Sequence, residues 1–232
     1  MKPVRAIASI ALVVALFGAA CESNGEPTDL TASTETRARA DLPVTTVVGA
    51  PPLAVVFGDS NTYQSTDALR RALAEAGLTP DVRGISGSGL KDNAIDWLPA
   101  AQQVTQANPA VVVIALGTND AVFDNDVEAF AARAEELLAA LGDLPILWVT
   151  HTEAGGTGRD PADEKRVNDV IRSLPLRHPN VTVLDLAPEI DSDPTILGDD
   201  RLHFSDLGVR WFADRIAEAA RAVALPQLQQ QP

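Results

Sequence analysis

Five short apolar runs, separated by segments of helical periodicity, constrain this chain more than any other feature. They are Leu53–Phe57, a weaker run at Asp81–Ile85, Ala110–Leu116 (AVVVIAL), Leu144–Thr150 (LPILWVT) and Val181–Leu186 (VTVLDL). Most are continuous rather than alternating, as expected of parallel strands covered on both faces. Between them, Leu69, Ala72, Leu73 and Ala76 follow helix spacing, with Gly77 where a C-terminal cap belongs. Val127, Phe130, Ala134, Leu137, Leu138 and Leu141 form a second stripe. Asp160-Pro161 offers an N-cap and first turn to Val167, Val170, Ile171 and Leu174. Ser205 or Asp206 can cap a last helix carrying Trp211, Phe212, Ile216 and Val223. Lys91–Ala107 is interrupted by Pro99 and stays unassigned. Strand and helix in alternation predict an α/β fold: a three-layer α/β/α sandwich around a five-stranded parallel sheet, in the flavodoxin-like order 2-1-3-4-5.

In such a sheet ligands lie beyond the carboxyl ends of the strands, so the residues just after each run matter most. Gly58-Asp59-Ser60 follows the first, RGISGSG (83–89) the second, GTND (117–120) the third and HTE (151–153) the fourth. DDRLHFSD (199–206) lies between the fifth run and the last helix. Each alone is weak evidence: Gly-Asp-Ser is usually a turn, a glycine-rich stretch usually a loop, and Asp-x-x-His arises by chance. Together on one rim they supply a hydroxyl, main-chain donors, an amide and an Asp/His pair, the requirements of acyl transfer through a serine. A serine is a poor nucleophile until its proton has a destination. A neutral imidazole, titrating near about pH 6.5 when unperturbed, can accept it. An Asp three residues earlier can hold the other ring nitrogen as a donor.

In these residues the chain resembles the SGNH (GDSL-like) hydrolase superfamily, in block order across nearly the whole predicted domain. FGDSNT resembles the first block and implies Ser60 as nucleophile; RGISG resembles the second and implies Gly87 as a main-chain oxyanion donor. GTND resembles the third, with Asn119 as side-chain oxyanion donor, and DRLH has the spacing of the last, implying Asp200 as orienter and His203 as base. The Ser60 N–H is the remaining oxyanion donor. Two positions depart from the pattern: Asn61 stands where the family name has leucine, and Arg83 where an asparagine is often found. The implied activity is a serine esterase acting on small acyl or acetyl esters, without a cofactor. A non-catalytic carbohydrate- or wall-binding module and an O-acyltransferase with a sugar hydroxyl acceptor are the alternatives.

Other polar residues carry less. Asp59 fixes the turn or bonds loop backbone, with substrate contact as the alternative; Asp120 is similar. His151 is a candidate for the substrate pocket, whereas His178 is expected at the opposite end of the sheet. The three His residues lack zinc-site spacing, DSDPTILGDD is not an EF-hand loop, and no phosphate-binding glycine motif follows the first strand, so no metal or nucleotide is expected.

The N-terminus reads as an export signal. Lys2 and Arg5 precede an apolar run, Ile7–Phe17, and a small-residue end, Gly18-Ala19-Ala20. A permanent anchor helix is the other reading of that run. Cys21, the chain's one cysteine, cannot form an internal disulfide. Its placement resembles a bacterial lipobox, which implies lipidation at Cys21, although Gly18 stands where that pattern has a larger aliphatic residue; plain cleavage before Cys21 is the alternative. The expected division is a signal peptide over 1–20, a lipid-attachment cysteine and polar linker over 21–50, a hydrolase domain over 51–226 and a tail over 227–232. Losing residues 1–20 removes Lys2 and Arg5 and no acid, taking the net charge from −14 to −16. So acidic a surface disfavours nucleic acid and anionic lipid as partners. Membrane attachment is therefore expected only through a lipid at Cys21. The partner expected is a small-molecule or polysaccharide ester, and the expected state is a monomer.

Overall fold

A computed structural model describes residues 51–91, 95–123, 126–156 and 159–228. The signal peptide, Cys21 and the linker expected over 1–50 lie outside the described residues. The sheet has five parallel strands in the order β2-β1-β3-β4-β5, as expected: β1 Leu53–Gly58, β2 Thr79–Gly84, β3 Val111–Ala115, β4 Ile146–Val149 and β5 Val181–Leu184. Eight α-helices are described: α1 Ser60–Gln64, α2 Thr66–Glu75, α3 Trp97–Ala107, α4 Thr118–Phe123, α5 Val127–Leu141, α6 Pro161–Ser173, α7 Ala187–Ser192 and α8 Asp206–Leu228.

Continuous apolar strands bury both faces of the sheet. Val55, Phe57, Val112 and Ile114 pack under α3, α5 and α6, while Ala54, Val56, Val111 and Val113 pack under α2 and α8. At roughly 1.5–3 kcal/mol for each large apolar side chain buried, these two cores are the main source of stability.

Local chemistry sets the ends of the elements. Helix α2 stops at Gly77, whose φ of +79° is the left-handed conformation that glycine adopts without cost. There the Leu78 N–H donates to the Leu73 carbonyl at 3.0 Å and the Gly77 N–H to Ala74 at 3.0 Å, closing the last turn. Asp160 caps α6 by accepting from the Ala162 N–H at 2.8 Å. Of the two candidate caps for α8 it is Ser205, whose Oγ accepts from the Gly208 N–H at 3.0 Å.

Two elements go beyond the reading from sequence, and each contains a proline. Strand β2 starts at Thr79, two residues before the apolar run suggested, and includes Pro80. As the sheet's edge strand it has a side with no neighbour, where a missing N–H costs nothing. Helix α3, Trp97–Ala107, takes up the later part of the stretch left unassigned: Asp96 caps it by accepting from the Leu98 N–H at 3.1 Å. Pro99 therefore falls in the first turn, whose N–H groups have no helical partner in any case.

Candidate active site

The turn after β1 is built by Asp59. Its Oδ1 accepts the Asn61 N–H at 2.9 Å, so Ser60 opens α1 at the carboxyl edge of the sheet. The helix crosses close over β2. A Cβ on Gly84 would run into the main chain of Tyr63, so only glycine lets α1 lie there. Asp59 itself is 2% exposed, and burial pushes its carboxyl up to about 6, against N–H groups of Asn61 and Thr62, the Thr118 hydroxyl and the charge of His203. The folded protein thus holds this proton more tightly than the unfolded chain. The carboxyl's effect on stability is most favourable below the ordinary carboxylate range and declines as pH rises through about 6. Asp59→Asn, which keeps an acceptor for Asn61, is expected to lack that decline. Its stability relative to wild type should improve by on the order of 2–3 kcal/mol between pH 4 and pH 7, read by urea unfolding at the two values.

Opposite Ser60, the segment 197–204 folds back on itself. Gly198 N–H donates to the His203 carbonyl at 2.8 Å, and Leu197 and Phe204 form an antiparallel bridge. Inside it Asp200 Oδ1 accepts the N–H groups of Leu202 and His203, each at 3.0 Å, and Arg201 takes a left-handed φ of +56°. Asp200 Oδ2 lies 2.7 Å from His203 Nδ1, and His203 Nε2 lies 3.0 Å from Ser60 Oγ. With a carboxylate at Nδ1 that nitrogen carries the proton, leaving the Nε2 lone pair for the Ser60 hydroxyl. Partial burial raises the Asp200 carboxyl, but the His203 hydrogen bond and the two N–H donors outweigh it and bring it down to about 2. Asp200 is therefore an anion throughout the neutral range, suited to hold a His that gains charge.

The glycine-rich turn and the GTND segment are tied to this point. Gly87 has φ +76° and no atom within 4 Å of where a Cβ would stand, so its backbone conformation rather than crowding calls for glycine. Ser88, fully buried, donates from Oγ to the Gly58 carbonyl at 3.2 Å and accepts at its carbonyl from Asn119 Nδ2 at 2.7 Å. One amide hydrogen of Asn119 is used in this way, and the other remains for a ligand. Asp120 accepts the N–H groups of Leu90 and Lys91 at 3.0 Å, fixing the second turn on α4. These bonds join the loops after β1, β2 and β3 into one unit carrying the hydroxyl, the Gly87 main chain and the Asn119 amide.

His151 is buried at 8% exposure. Its Nδ1 meets the Thr152 carbonyl at 3.0 Å, and burial lowers the ring to about 4, so it is neutral at ordinary pH. Its Nε2 lacks a hydrogen-bond partner. It lines a cavity of about 30 Å³ together with Asp59, Asn61, Thr118, Leu202 and Phe204. His178 instead pairs with Glu135 Oε2 at 2.7 Å, in the segment entering β5 at the amino edge of the sheet. Among the described residues no cluster of three or more His, Cys, Asp or Glu side chains is arranged to hold a metal.

Three contributors were not evident from sequence. Asn61, noticed only as a departure from a family pattern, bonds both neighbours of His203: its Nδ2 donates to the Leu202 carbonyl at 3.1 Å and its Oδ1 accepts the Phe204 N–H at 3.2 Å. Ser88 sits among residues that read as loop filler. Arg159 is a buried cation paired with Glu164 at 2.8 Å, and its Nη2 donates to the Arg201 carbonyl at 2.6 Å. An amide in the first turn after a buried strand was the one available signal for Asn61; the other two have none in the local sequence.

The sequence profile of the GDSL-like lipase/acylhydrolase family matches residues 56–211, a span that includes Ser60, Gly87, Asn119, Asp200 and His203. A search of curated proteins returns no match. Solved structures share the fold. A lipase/acylhydrolase from Enterococcus faecalis superposes with a TM-score of 0.63 at 24% identity, covering 74% of this chain and 96% of that one. An acetyl xylan esterase gives 0.60 at 24% identity, over 72% and 98% of the two chains. The C-terminal catalytic domain of a peptidoglycan O-acetyltransferase from Streptococcus pneumoniae gives 0.55 at 22%, over 79% and 98%. With the matched profile spanning most of the sheet and every loop of the site, this chain belongs to the GDSL-like lipase/acylhydrolase family.

Proposed function

We propose that this protein is a serine esterase that removes small acyl or acetyl groups through an acyl-enzyme on Ser60. The observation that carries the reading is the 3.0 Å approach of Ser60 Oγ to His203 Nε2, with Asp200 at 2.7 Å from the other ring nitrogen. In acylation Ser60 Oγ attacks the ester carbonyl carbon as its proton passes to His203 Nε2. The tetrahedral oxyanion is received by the N–H groups of Ser60 and Gly87 and the free amide hydrogen of Asn119. Collapse breaks the bond to the alcohol oxygen, which leaves with the proton from His203. Water then repeats the sequence on the acyl-enzyme and releases the acid.

The openness of the rim supports esters borne on large alcohols. The His203 and Asp200 side chains are 38% and 53% exposed, so the leaving-group side faces solvent. The export-signal pattern of residues 1–20 supports a location outside the cytoplasmic membrane for the domain, and the lipobox-like placement of Cys21 supports a lipid anchor. Transfer to a sugar hydroxyl instead of water uses the same acyl-enzyme, and the pneumococcal acetyltransferase domain of like fold makes it the second reading. The two separate in one experiment: p-nitrophenyl esters of increasing acyl length, acetylated xylan and acetylated peptidoglycan, each with and without added sugar acceptors. Hydrolysis favouring acetyl over long acyl chains, unchanged by acceptor, is the expected result. Acylated acceptor as main product would support the transferase, and turnover of no ester by folded protein would overturn both.

A further inference from the structure

We propose that Asn61 is a positioning residue whose side-chain amide sets the register of His203 against Ser60. The inference rests on the esterase reading and assigns the device that keeps its nucleophile and base in contact.

A buried amide needs partners for both ends, and Asn61, 8% exposed, finds them on the two residues that flank His203. Its Nδ2 donates to the Leu202 carbonyl at 3.1 Å, and its Oδ1 accepts from the Phe204 N–H at 3.2 Å. The main chain of Asn61 is in turn pinned by Asp59 at 2.9 Å, and the residue is covalently next to Ser60. Besides the direct Ser60–His203 hydrogen bond, one side chain thus ties the start of the Ser60 helix to both main-chain neighbours of His203.

Other contacts hold the segment without bonding both of these main-chain groups. From above, the His203 and Asp200 side chains are open to solvent. From below, the Phe204 ring packs on Phe212 with centroids 4.6 Å apart and on Trp211, while a cavity of about 30 Å³ lies against Asn61 and Leu202, so packing holds Phe204 more firmly than the Leu202 side. The carboxylate of Asp200 bonds N–H groups of its own turn and gives that turn its shape, but does not attach it to the sheet. Arg159 holds the far side through the Arg201 carbonyl, and Gln64 Nε2 reaches the Phe204 carbonyl at 3.2 Å from an exposed position. Among the described residues Asn61 is the buried side chain that reaches across from the Ser60 helix to both neighbours of His203. Losing it should let the imidazole move relative to Ser60 without altering the oxyanion donors, so turnover falls while substrate binding is retained.

The test compares wild type with Asn61→Leu, similar in size but without hydrogen bonds, and Asn61→Asp, which keeps the acceptor for Phe204 and loses the donor to Leu202. Asn61→Leu is expected to lower kcat by about 10- to 100-fold with KM within about twofold, and Asn61→Asp to fall between. A second readout needs no turnover. The titration of the His203 ring is followed by NMR with and without Ser60→Ala, in the wild-type and Asn61→Leu backgrounds. Removing the Ser60 hydroxyl should shift that titration in wild type and leave it unchanged where Asn61 is gone. An Asn61→Leu protein with wild-type kcat, a changed KM at constant kcat, or the same Ser60-dependent shift in both backgrounds would overturn the proposal. If Asn61→Leu does not fold, Asn61→Asp with the same cycle decides. If wild type hydrolyses no ester, the esterase reading fails while the NMR cycle still judges Asn61.

Discussion

Ser60→Ala is expected to lower kcat/KM for ester hydrolysis by at least about 10⁴-fold, with unfolding free energy changed by no more than about 1 kcal/mol. The size of the loss follows from the role. Without the Oγ there is no acyl-enzyme, and a water at the same place has neither the covalent tether nor the oriented approach to the carbonyl. The small stability change follows from the surroundings: Ser60 is half-buried, and its hydroxyl makes one hydrogen bond, to His203. Steady-state kinetics beside urea unfolding check both halves. A variant that loses activity by unfolding would not count as support, because the site's loops are cross-tied and a collapsed rim would silence any function.

The second large effect concerns the pair that takes the proton. His203→Ala is expected to cost about 10⁴-fold in kcat, since among the described residues the hydrogen-bond partner of Ser60 Oγ is His203. Asp200→Asn should cost less, about 10²- to 10³-fold. In a buried triad the same exchange costs about 10⁴-fold by imposing the wrong tautomer. Here the Asp200 side chain is 53% exposed, so water shares the stabilisation of the charged imidazole and softens the loss. The carboxyl at about 2 fixes the sign of the pH effect. Asp200 stays ionised down to that range, so its stabilising contribution is present above the ordinary carboxylate pKa and is lost only as pH falls through about 2. Mild acidification therefore leaves Asp200 ionised, and a loss of activity there is not assigned to Asp200. An Asp200→Asn enzyme as active as wild type would remove Asp200 from the mechanism.

Much of the fold was legible because its cause is local. Val111–Ala115 is apolar without a break, and a strand covered on both faces needs that and little more. Gly77 and Asp160 announce helix ends through backbone conformation and capping, which depend only on neighbours. Pro80 and Pro99 are tolerated for a complementary reason. Pro80 is harmless only because β2 lies at the sheet edge, and Pro99 only because Asp96 starts α3 three residues before it; both facts belong to the assembled structure. The site divides in the same way. Ser60, Asn119, Asp200 and His203 were visible as chemistry-bearing residues at strand ends in a familiar order. Asn61, Ser88 and Arg159 were not, since each acts through bonds to main-chain groups 30 to 143 residues distant, and no local pattern marks a residue for such use.

The measurement that bears most directly on the account is covalent labelling with a fluorophosphonate, read by intact mass and then by peptide mapping. The account requires one equivalent of phosphonate on Ser60, no uptake by Ser60→Ala, and much slower uptake by His203→Ala. Folded wild-type protein that turns over esters yet takes up no phosphonate, or carries it on a residue other than Ser60, would contradict it.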